Sequence, residues 1–144
     1  MKQEVAVILA SHGNFAVEAL NSLEMIMGKQ QNIQAISLHP GEGLTDLIEK
    51  MDIIYQGLEK EHGTIIISDI FGGSPSNAAT TLYLKYPDYP IALFTGLNLG
   101  VLIELATIRD REFSEVLQAI DNICGQIWLR VDQNLHKGIE EEDL

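Results

Sequence analysis

With a single cysteine, Cys124, the 144-residue chain can build neither an internal disulfide nor a CxxC metal or redox pair. Cys124 falls in an apolar pattern with Ala119, Ile120 and Ile123, which predicts a small core residue. Basic residues are scarce: nine Lys and Arg stand against 21 Asp and Glu, a formal net charge of −12. A surface this acidic repels phosphate backbones and anionic headgroups, which argues against a nucleic-acid or membrane-surface role. It leaves open a basic protein partner steered by charge. No apolar stretch approaches the roughly 20 residues needed to cross a bilayer, and the first ten residues are too short and too strand-like for a secretory leader. The expectation is a soluble, cytoplasmic protein without membrane insertion. Four prolines and scattered glycines exclude a collagen-like or low-complexity chain, while 46% apolar residues suffice for the core of one domain.

Several catalytic signatures are missing as well. There is no G-x-x-x-x-G-K-[ST] loop for nucleotide phosphates, no G-x-G-x-x-G after the first apolar run, and no G-x-S-x-G elbow.

What is present is a regular change of hydrophobic period. Val5–Ala10, Ile33–Leu38, Thr64–Ser68 and Ile91–Thr95 are short apolar runs that read as strands, the first buried on both faces. Between them lie helical patterns. Phe15 to Met27 places Phe15, Leu20, Leu23 and Met27 near helical spacing, and Leu44 to about Glu61 carries Leu44, Leu47, Ile48, Met51, Tyr55 and Leu58 on one stripe. A third helix opens at Ser74-Pro75, read as a hydroxyl cap followed by proline at the first helical position, and reaches about Leu84. Two more helices, Leu99–Ile108 and Phe113–Cys124, follow without a strand between them. Gln126–Val131 reads as a short final strand at a sheet edge. Strand–helix alternation repeated four times implies right-handed crossovers. The predicted fold is α/β: an open, doubly wound, mostly parallel four-stranded sheet with helices on both faces. Residues 1–135 form one domain, and 136–144 an acidic tail whose Glu140–Asp143 run reads as solvated.

In such a sheet, ligands bind outside the carboxyl ends of the strands. The loops there are Ser11–Asn14, His39–Gly43, Asp69–Ser74 and Gly96–Asn98, so one edge gathers imidazoles, a carboxylate, hydroxyls and glycine amides. Each has a plainer reading: His12 bonding its own backbone, Asp69 capping nearby amides, Gly72-Gly73 as a tight turn, His39 as a turn residue. His62 and His136 have no supporting context. A Ser74–His12–Asp69 hydrolase triad is conceivable, and so is zinc on His12, His39 and Asp69, although no short-spaced ligand pair supports the metal. What remains is an imidazole able to act as nucleophile, a carboxylate to orient it, and an anion-stabilising turn at a helix start. With no nucleotide site, the natural reading is that a phosphoryl group arrives from another protein already activated.

At these residues the chain resembles the IIA component of the mannose family of the bacterial phosphoenolpyruvate-dependent sugar phosphotransferase system. The anchors are Ser11-His12-Gly13, Pro40-Gly41-Glu42, the run Asp69-Ile70-Phe71-Gly72-Gly73-Ser74-Pro75-Ser76-Asn77-Ala78-Ala79, and Gly96-Leu97-Asn98, covering the chain to about Leu135. The resemblance implies a phosphocarrier that takes phosphate from HPr onto His12 and passes it to a separate IIB component, serving a IIC/IID permease indirectly. It implies Nε2 as the attacking atom, Asp69 as the orienting carboxylate bonded to Nδ1–H, and Gly72, Gly73 and Ser74 as the phosphate-binding turn. Ser11, Gly13, Phe71, His39 and Asn98 are expected to line the site. Neither a metal nor an organic cofactor is required. The resemblance also favours a homodimer whose final strand is exchanged. The competing expectation is a non-transport regulatory or sensor module of the same fold.

Overall fold

The computed structural model describes residues 3–133 and 135. Its elements follow one another as β1 (Ala6–His12), α1 (Phe15–Met27), β2 (Ile33–Leu38), α2 (Leu44–Gly57), β3 (Thr64–Ser68), α3 (Ser74–Lys85), β4 (Ile91–Thr95), α4 (Leu99–Ile108) and α5 (Phe113–Ile123), then a 3-10 turn at Cys124–Gln126 and helical backbone again at residues 131–133. All strand pairs are parallel and the order is β2-β1-β3-β4. Side-chain alternation explains the continuous apolar runs. Val7, Leu9, Ile65 and Ile67 face one core with Leu23 of α1, Leu102 and Leu105 of α4, and Val116 and Ile120 of α5. Ala6, Ile8, Ala10 and Ile66 face a second core with Leu47, Met51 and Tyr55 of α2 and Ala78 and Leu82 of α3. Both faces of β1 and β3 are covered, so neither strand needs polar positions.

The chain leaves β1 toward β2 on one side, and later crosses to β3 on the other. The connections therefore diverge between the carboxyl ends of β1 and β3, the place where such sheets bind ligands.

Several boundaries differ from the sequence expectation. β1 runs on through His12, because the register pairs His12 with Leu38 and the Gly13 amide donates to the Leu38 carbonyl at 2.8 Å. α2 stops at Gly57, short of Glu61, because Asn32 grips the main chain of Glu59, accepting from its N–H at 2.9 Å and donating to its C=O at 2.7 Å. α1 buries Ala16 and Leu23 and leaves Phe15 and Met27 exposed. Cys124 is exposed, since the change to 3-10 winding carries it off the Val116–Ile120 face. The segment Gln126–Val131 forms no strand within its own chain. Ile127 has helical backbone angles and packs over Gly100, while Trp128, Leu129 and Val131 face solvent. The acidic tail at 136–144 and His136 lie outside the described residues.

Two polar features brace the sheet. Arg109, just beyond α4 and only 1% exposed, donates from Nε to Val5 O at 3.1 Å and from Nη2 to Gln31 O at 2.6 Å, and pairs with Glu4 at 3.2 Å. At the β2 border, even-numbered residues turn their main chain toward β1, as in the Val7 N to Asn32 O bond, and odd-numbered ones face outward. Lys50 of α2 reaches this outer border, its ammonium donating to Ser37 O at 3.3 Å while it pairs with Glu42.

Candidate phosphoryl-transfer site

The site begins with a buried serine. Ser11 is fully enclosed at the end of β1, its Oγ accepting from Ala16 N–H at 2.7 Å and donating to Gly13 O at 3.2 Å. It thereby supplies α1 with a capping acceptor from ahead of the helix's own N-cap, Asn14, which makes no side-chain cap bond. Gly13 takes a positive φ of 57° to make this turn. The result throws His12 outward at the carboxyl end of the sheet, its side chain 48% exposed.

Asp69 leaves β3 directly beside it. Asp69 Oδ2 accepts from the His12 amide at 2.9 Å and lies 2.7 Å from His12 Nδ1, while Oδ1 accepts from Ile70 N–H at 2.9 Å. Burial pushes the Asp69 carboxyl up, but the His12 amide, the His12 ring and the Ile70 amide outweigh it and hold the group below its ordinary range. An ionised carboxylate only accepts hydrogen bonds. Nδ1 therefore carries the ring hydrogen, and Nε2 presents its lone pair away from Asp69.

Nε2 lies against the start of α3. A Cβ built on Gly73 would stand 3.4 Å from Nε2 and 2.9 Å from Cε1. Gly73, not Ser74, is the N-cap, and no side chain caps the helix; Ser74 is already the first helical residue. The expected Ser74 cap is thus corrected: helical angles begin one residue early. Among the described residues the half-buried Ser74 Oγ has no hydrogen-bond partner. In the first turn of α3 the Ser74 and Ser76 N–H groups have no intrahelical carbonyl to bond, and Pro75 has no N–H.

The remaining expected residues divide. Asn98 caps α4, accepting from Val101 N–H and donating to Gly96 O, each at 2.9 Å. His39 faces a separate cleft of about 470 Å³ outside β2, lined also by Asn14, Val17, Ala35, Lys50 and Ile53. Among the described residues no three His, Cys, Asp or Glu side chains come together as a metal-holding group, so His39 does not join His12 and Asp69. Phe71 projects from the Asp69 loop, 86% exposed. The structural roles of Ser11 and Asn98 were not legible in the sequence; a serine or asparagine ahead of a helical pattern is the signal that points to them.

The profile of the EIIA-man family, described as "PTS system fructose IIA component", matches residues 6–123. The chain is 33% identical over 134 residues to the PTS system fructose-specific EIIA component of Bacillus subtilis (strain 168), covering 92% of this chain and 90% of that protein. It is 33% identical over 106 residues to the mannose-specific EIIAB component of Escherichia coli (strain K12), 74% of this chain but 32% of that longer protein. Among solved structures, EIIA from Streptococcus agalactiae superposes with a TM-score of 0.81 at 24% identity over 90% of this chain and 98% of that one, a likeness of fold. The PTS IIA protein associated with the fucose utilization operon of Streptococcus pneumoniae gives a TM-score of 0.77 at 28% identity, covering 94% and 99%.

Proposed function

Since the chain belongs to the mannose family of PTS IIA components, we propose that it is the phosphocarrier of a sugar phosphotransferase system, with His12 Nε2 as the atom that carries the phosphoryl group. The observation that supports this most is the 2.7 Å contact between His12 Nδ1 and Asp69, which leaves Nε2 as the free nitrogen at the start of α3. In the transfer, the Nε2 lone pair forms the bond to phosphorus as the bond to the donor breaks, and that electron pair stays with the donor. The imidazole becomes cationic, and Asp69 balances it through Nδ1–H. The positive end of α3, with its unmatched N–H groups and the Ser74 hydroxyl, is suited to the equatorial oxygens. Delivery to an acceptor reverses the same bond exchange, and no metal or organic cofactor enters it.

The donor is phospho-HPr and the acceptor a IIB component, with the IIC/IID permease reached only through IIB. The surroundings of His12 suit protein partners: Phe15 at the start of α1, and Ile70 and Phe71 directly after Asp69, are large exposed apolar side chains. The acidic first turns of α1 and α2, at Glu18 and Asp46, favour a basic partner. Among the described residues no helix is long and apolar enough to cross a membrane, and we place the carrier in the cytoplasm.

Incubation with phosphoenolpyruvate, enzyme I and HPr, followed by intact mass measurement and acid treatment, tests the reading. One acid-labile phosphoryl group per chain is expected, absent from His12→Gln. Modification that survives His12→Gln, or that maps to His39, would refute it.

A further inference from the structure

The adjacent glycines of the Gly72-Gly73 turn meet different constraints. Gly72 has a φ of +83° with open space where a Cβ would stand, so its requirement is conformational. Gly73 is the reverse. Its φ of −82° and ψ of 173° are extended backbone that any residue adopts. A Cβ there, however, would lie 2.9 Å from His12 Cε1. Non-bonded carbons settle at about 3.5–4.0 Å, so the imidazole would have to retreat by roughly half an ångström or more. It is not free to do so while keeping Nδ1 at 2.7 Å from Asp69 Oδ2.

We infer that Gly73 is a positioning residue: the space left by its missing Cβ is where the Cε1–Nε2 edge of the His12 ring sits while Nδ1 keeps its Asp69 hydrogen bond. The ring is then held by a carboxylate at Nδ1, with room for its Cε1 edge only because Gly73 carries no side chain. This role differs from donation of an amide to phosphate, because it acts on the imidazole before any phosphate arrives. Its consequence for rate rests on the phosphocarrier reading above; its consequence for the ring does not.

Gly73→Ala tests it, with three measurements on the full chain. Thermal unfolding should stay cooperative and close to wild type, since the backbone angles suit alanine. Ring 15N shifts should show Nδ1–H alone in the wild type and a mixture of tautomers in the variant. Phosphoramidate, a small donor that needs no docking partner, transfers its phosphoryl group to Nε2 as its P–N bond breaks and ammonia leaves. That reaction should slow roughly tenfold or more in Gly73→Ala, as expected when a reacting atom is displaced by part of an ångström. A wild-type rate in the variant would overturn the inference, and so would a slowed variant whose ring spectrum is unchanged. Loss of cooperative unfolding would overturn it too, because the cost would then lie in the fold. A wild-type protein that takes no phosphate from phosphoramidate or phospho-HPr refutes the phosphocarrier reading instead, and the ring spectra still decide whether Gly73 seats His12.

Discussion

Asp69 uses both oxygens, one on Ile70 and the other on the amide and ring of His12. That arrangement ties it to stability as well as to transfer. Its carboxyl is held below the ordinary value of 3.8, burial opposing and the hydrogen bonds prevailing. A depressed carboxyl contributes stability that is complete above the unfolded value and is lost as pH falls through the lower folded value. Asp69→Asn should therefore flatten the acid limb of a melting-temperature profile below about pH 4, while the protein still folds at neutral pH. Phosphoryl uptake at neutral pH should slow by a factor on the order of 10², since the amide no longer fixes the tautomer or balances the cationic ring. Unchanged uptake kinetics would mean that Asp69 only holds its loop. His12 and Asp69 were legible in the sequence because each directly ends an apolar strand run, and parallel strands bring such positions to one edge. The place of Ser74 was not, because capping depends on a one-residue offset in where helical angles begin. Nor was that of His39, because the side of β2 that it faces depends on tertiary packing.

Elements are joined here by contacts distant in sequence, and α4 shows it. Its last turn delivers Arg109 beneath the amino end of the sheet, where one guanidinium ties the entry to β1 to the turn before β2. Burial lowers the Arg109 pKa and Glu4 opposes that shift. Arg109→Ala would leave the Val5 and Gln31 carbonyls and the Glu4 carboxylate without their donor, a loss of about 3–5 kcal/mol for breaking a buried pair. Urea melts should show it, with Arg109→Lys recovering only part because an ammonium lacks the planar fork. A change under about 1 kcal/mol would place Arg109 among exposed pairs of little consequence. No periodicity marks this residue in the sequence, where it simply follows an apolar helix. The helices themselves were legible to within a few residues from their 3.6-residue stripes. Their ends were less so: α2 stops where Asn32, from another connection, takes hold of Glu59.

At the scale of the whole molecule, the apolar side chains beyond Ile127 stand outside the core. Trp128 is 94% exposed, with Leu129 and Val131 also in solvent, and β4 forms one border of the sheet. A homodimer in which this segment pairs with the partner's border would cover both. Light scattering should find a dimer at micromolar concentration, and deletion from Gln126 onward should yield monomer or aggregate. A monomeric full-length chain, or a truncated chain that stays dimeric and soluble, would overturn that. The alternation in Gln126–Val131 reads as a strand, yet a strand needs a neighbour, and among the described residues this segment pairs with none. The opposite border is not equivalent. There the Lys50 ammonium sits on the outward Ser37 carbonyl, a charge set against the main-chain group that an incoming strand would need. Edge-to-edge stacking of whole sheets needs a receptive border on each side, and the β2 side is guarded. Strand addition at the β2 border is thereby disfavoured, and the same lysine that steadies the β2–α2 corner guards that side of the sheet against stacking of copies.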